Sequence, residues 1–66
     1  MTASINGESR TLGERTTLAD LLREIGVPER GIAVAVNERV VRRSAYDVYA
    51  LSDGDAVEII RAVAGG

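Results

Sequence analysis

The chain has 66 residues, with eight basic side chains that are all arginine, ten Asp and Glu, a net charge of -2 and neither cysteine nor histidine. That length supports one domain whose core is too small to enclose a catalytic cleft, and the missing residue types remove disulfides, the usual zinc sites, thiol nucleophiles and the commonest general base. The acidic balance opposes generic attraction to nucleic acid or anionic membranes, and the longest apolar run is only Ile32 to Val36, so the reading is a soluble cytoplasmic protein, not an enzyme, with no bound metal.

Residues 2 to 5 and the segment "ESRTL" read as two short strands joined at Asn6-Gly7, because that dipeptide accepts the positive φ angles of a type I′ turn. In "TTLADLLREIG", Thr17 stands where it can cap a helix, with Asp20 three residues on in a variant of the capping box. Leu18, Leu21, Leu22 and Ile25 then fall at i, i+3, i+4 and i+7 and make one apolar stripe. Gly26 occupies the expected left-handed C-cap, and Pro28 stops continuation. "GIAVAVNERVVRR" predicts two more strands around a tight connection at Asn37-Glu38. "SAYDVYALSDGD" has turn or helix character without a period and ends in the turn chemistry of Asp53-Gly54-Asp55. "AVEIIRAV" follows as a β-branched strand running into Ala64-Gly65-Gly66.

One helix must bury its stripe against something, and a single sheet has one face to offer. The expected architecture is therefore α+β: a small mixed sheet packed on one helix, over a single domain of residues 1–66 with a flexible Ala-Gly-Gly tail at 64–66. Side chains alternate along a strand, so Ile59 and Ile60 point to opposite faces and one of them faces away from the helix. With Arg61 they form a possible partner surface near the tail, although Arg61 is equally an ordinary exposed strand position. Arg39, Arg42 and Arg43 read first as a charged strand edge that discourages aggregation, and second as a grip for phosphate or an acidic partner. Asp53, Asp55 and Glu58 lack the ligand spacing of a calcium loop and read as turn residues. Tyr46 and Tyr49, the only aromatics, read as cover for the core.

The fragments "ING", "TLADLL", "AVAVNERVVRR", "LSDGDAVEII" and the closing "AGG", in that order across essentially the whole chain, resemble the bacterial sulfur carrier proteins of thiamine biosynthesis, a ubiquitin-like β-grasp family. The resemblance implies a protein co-substrate that binds no cofactor of its own. An adenylyltransferase-type activating enzyme would use ATP to adenylate the Gly66 carboxylate. Sulfur from a persulfide source such as a cysteine desulfurase would convert it to a thiocarboxylate, and a thiazole synthase would receive the sulfur. Gly66 is then the sulfur attachment point, and Gly65 and Gly66 are the segment inserted into the partner. Glycine suits a narrow passage because it has no Cβ and accepts nearly any backbone angle.

The absence of lysine is either composition bias or protection against self-acylation, since arginine stays protonated and non-nucleophilic. Three rival readings stand beside the main one. They are a sulfur carrier for molybdopterin synthesis, a ubiquitin-like protein modifier, and a β-grasp binding or regulatory module, the last disfavoured by the low pI and the scarcity of aromatics.

Overall fold

In the computed structural model, residues 1–61 are described; residues 62 and 63 of the expected last strand, and the tail at 64–66, lie outside them. The elements in chain order are β1 (Thr2–Ile5), β2 (Glu8–Thr11), α1 (Leu18–Ile25), β3 (Ile32–Val36), β4 (Arg39–Val41), a short 3₁₀ turn (Arg43–Ala45) and β5 (Ala56–Arg61). The strands form one mixed sheet in the order β2-β1-β5-β3-β4. The last strand is thus the central one, parallel to β1 and antiparallel to β3.

Both hairpins close through left-handed turns. Asn6 and Gly7 have φ of 51° and 85°, and Asn37 and Glu38 have φ of 52° and 70°. The first pair is the Asn-Gly combination that a type I′ turn favours. In the second, a glutamate takes the place a glycine would hold more easily, at a cost of about 1–2 kcal/mol.

The helix forms where the capping residues and the apolar stripe agree. Thr17 Oγ1 accepts from the Asp20 N–H, and the Asp20 carboxylate accepts from the Thr17 N–H, so the box is reciprocal despite having aspartate in place of glutamate. Gly26 ends the helix at φ 76°, with its own N–H donating to Arg23 and the Val27 N–H donating to the Leu22 carbonyl, the double closure of a Schellman motif. Leu18, Leu21 and Leu22 are fully buried, and they pack with Ala3, Val34, Val36 and Val57 from the strands. Each of the buried leucines and valines contributes about 1.5–3 kcal/mol on leaving water.

The segment without a period owes its order to the helix. The first helical N–H groups have no partner within the helix. Here the Leu18 N–H donates to the Tyr49 carbonyl and the Ala19 N–H to the Tyr46 carbonyl, while the Leu51 N–H donates to Thr16. Tyr46 and Leu51 are thereby drawn into the core, and Tyr49 packs at its margin. Burial, more than the nearby Glu29 charge, raises the Tyr46 pKa, which favours the neutral phenol.

Two measurements test the helix start. Thr17→Ala should lower stability by about 1 kcal/mol in denaturant unfolding. The hydrogen bond from the Thr17 backbone, then that from its side chain, lowers the Asp20 pKa, so the stabilisation by its carboxylate is complete above the ordinary carboxylate range and disappears as pH falls through the lowered value. Asp20→Asn should therefore flatten the acid limb of the pH–stability curve and leave its alkaline side unchanged.

Candidate functional site

The strand that leads to Gly65 and Gly66 is β5. Those two glycines, on which the expected chemistry rests, lie outside the described residues, so what can be placed is the strand that carries them. Val57 is buried and Ile59 is half-buried against the core, which puts them on the helix side. Glu58 and Ile60 alternate with them and face the open side of the sheet, where Ile60 is 59% exposed. The three residues of the expected partner surface are thus divided. Ile60 stands on the open face, Ile59 belongs to the core side, and exposed Arg61 pairs in register with Ile32 at the end of β5.

The open face around Ile60 combines small and apolar groups with the exposed Glu58 carboxylate. Ala33 lies directly opposite Ile60, and Ala35 lies between Glu58 on one neighbour and Val40 on the other. Val40 is 77% exposed. Small alanines beneath two projecting aliphatic side chains leave room for a partner's side chains to approach the sheet.

The start and middle of β5 are held from both sides by asparagine side chains. Asn37 Oδ1 accepts from the Ala56 N–H at 3.0 Å, its Nδ2 donates to Asp55 Oδ1, and its backbone N–H donates to the Ala56 carbonyl. On the other edge, Asn6 Oδ1 accepts from the Ile59 N–H at 2.8 Å, and Asn6 Nδ2 donates to the Ile59 carbonyl at 3.3 Å. Sequence reasoning assigned both asparagines to turns and missed these contacts.

The remaining candidates have structural employment. Asp53 Oδ1 accepts from the Thr2 N–H, and the second Asp55 oxygen accepts from the Ser52 N–H, so these carboxylates build the turn before β5. Arg39, Arg42 and Arg43 are exposed on and just beyond β4, the edge strand. Among the described residues no group of three or more His, Cys, Asp or Glu could hold a metal ion, and no helix is long and apolar enough to cross a membrane.

A sequence model of the ThiS family matches residues 3–66, a span that includes both terminal glycines. The chain belongs to the ThiS family. A sulfur carrier protein ThiS of Thermus thermophilus is 40% identical over 62 residues, covering 94% of this chain and 95% of that one. A thiazole synthase of Paramagnetospirillum magneticum is 42% identical over 62 residues, but this ThiS-family chain spans only 19% of its length. The crystal structure of a thiamine biosynthesis protein, ThiS, from Geobacter metallireducens superposes with a TM-score of 0.86 at 32% identity, covering 100% of both chains. The five-stranded sheet with its single helix is accordingly the ubiquitin-like β-grasp fold.

The opposite placement of two adjacent isoleucines predicts opposite mutational behaviour. Ile59→Ala should cost about 1–3 kcal/mol in denaturant unfolding, while Ile60→Ala should stay within about 0.5 kcal/mol of the parent chain.

Proposed function

We propose that this chain is a sulfur carrier of thiamine biosynthesis, with the Gly66 carboxylate as the group that is loaded and unloaded. The observation that supports this most is membership of the ThiS family over residues 3–66, Gly65 and Gly66 included. A terminal carboxylate is ionised at neutral pH, which makes it a competent nucleophile toward phosphorus and a poor electrophile at carbon. One of its oxygens attacks the α-phosphorus of ATP on an adenylyltransferase-type enzyme, pyrophosphate leaves, and the acyl-adenylate forms. A persulfide sulfur, from a donor such as a cysteine desulfurase, then attacks the acyl carbon and expels AMP. A thiol cleaves the resulting S–S bond, becoming oxidised to a disulfide and leaving the thiocarboxylate.

The carrier itself contributes delivery. Gly65 and Gly66 enter the partner's passage, and the open sheet face around Ile60 and Val40 meets the activating enzyme, with Arg61 between the face and the tail. A thiazole synthase is the favoured acceptor, because a protein bearing that name contains a segment 42% identical to this chain. A protein with both segments in one polypeptide keeps carrier and synthase at high effective concentration, and separate chains reach the same arrangement by docking.

Incubation with ATP, a persulfide donor and a ThiS-activating enzyme should raise the intact mass by the difference between sulfur and oxygen, at the C-terminus only. Removal of Gly66 should abolish the gain. Gly66→Ala should leave the unfolding midpoint unchanged and reduce ATP–pyrophosphate exchange by about tenfold or more, because the added Cβ meets the walls of the passage. Normal exchange by Gly66→Ala would refute the role given to that residue, and transfer of the sulfur to a molybdopterin synthase alone would replace the acceptor.

A further inference from the structure

The parallel pairing of β1 with β5 consists of Ser4 opposite Ala56 and Ile5 opposite Val57. At Asn6-Gly7 the chain turns back into β2, so β1 leaves β5 while β5 still has Glu58 to Arg61 to run. Along that stretch one edge of β5 remains paired to β3, with Ile59, Ile60 and Arg61 opposite Val34, Ala33 and Ile32. On the other edge the Asn6 side chain takes both backbone groups of Ile59, donor and acceptor. A carboxamide carries the same planar N–H and C=O pair as a peptide unit, so Asn6 acts there as one further residue of strand.

We propose that Asn6 is a positioning residue for sulfur transfer: its amide extends the sheet past the end of β1 and keeps β5 aligned as it delivers Gly65 and Gly66 to the partner. Exposed hydrogen bonds of this kind add little net stability. Their effect here is on direction, because a strand paired along one edge alone opens and twists more readily than one held on both. The proposal rests on the sulfur-carrier reading and assigns a function to a side chain that touches neither ATP nor sulfur.

Asn37 supplies the control. It has nearly the same left-handed φ, lies in the other hairpin turn and bonds the same strand, but at Ala56, the end of β5 away from the tail. Glycine accepts that backbone angle, so Asn6→Gly and Asn37→Gly each delete a side-chain clasp without straining a turn. The experiment compares both variants with the parent chain in ATP–pyrophosphate exchange on a ThiS-activating enzyme, alongside thermal melts and hydrogen exchange at the Ile59 amide.

The expected result is that Asn6→Gly lowers kcat about fivefold with KM within about twofold, because the docking face is intact while fewer docked complexes have the tail inserted. Asn37→Gly should keep both constants within about twofold even where its melting temperature falls as far. The Ile59 amide should exchange faster in Asn6→Gly only. Wild-type kcat in Asn6→Gly, or equal losses in the two variants in step with their melting temperatures, would overturn the positioning role. A parent chain inert toward an enzyme that activates another carrier would overturn the sulfur-carrier reading and this inference with it. Should Asn6→Gly be unfolded at the assay temperature, Asn6→Asp is read by the same criterion, since it keeps the acceptor for Ile59 and loses the donor.

Discussion

Two residue pairs between β1 and β5, with the Asn6 side chain on Ile59 beyond them, join the N-terminal hairpin to the rest of the sheet, and the core depends on that junction. Without β5 the chain holds two separate hairpins, each too small to bury the leucine stripe of α1. With β5 between them, Ala3, Val34, Val36 and Val57 lie on one surface and the helix has a floor. The strand that completes the core is also the strand that runs on toward the glycines. One element thus both closes the sheet and carries the chain toward its C-terminus, with β3 along one edge and β1 and then the Asn6 side chain along part of the other.

Most of the fold is legible in local sequence because local and global preferences agree. Asn6-Gly7 specifies a turn whichever strands flank it, and Thr17, the leucine spacing and Gly26 mark the helix at its start, middle and end. The segment from Arg42 to Asp55 is not legible in this way. Its order comes from carbonyls at Tyr46 and Tyr49 that satisfy the helix N-terminus, and no period in its own residues records a partner nearly thirty positions earlier. Glu38 is similar, since nothing about a glutamate announces a left-handed turn until the flanking strands impose it.

The candidate site divides along the same line. Alternation alone separates Ile59 from Ile60, and the pairing of β5 with β3 then decides that Ile59 packs inward. The roles of Asn6 and Asn37 needed the sheet order. An asparagine in a turn reads as a residue tolerant of positive φ, and only the central position of β5 brings its edges within reach of both side chains.

The β1–β5 junction also has a kinetic consequence. Its partners Ser4 and Ala56 stand 52 positions apart (56 minus 4), and so distant a contact must close a long loop before it rewards folding, which slows the search relative to an all-helical chain of this size. During synthesis the first hairpin and the helix emerge with nothing to close them, and the core assembles only when the last described strand is free to insert. A chain cut short before β5 would thus leave no continuous sheet for the helix to pack on. Fragments that lack β5 would therefore be cleared as unfolded protein and would not persist as a partial fold.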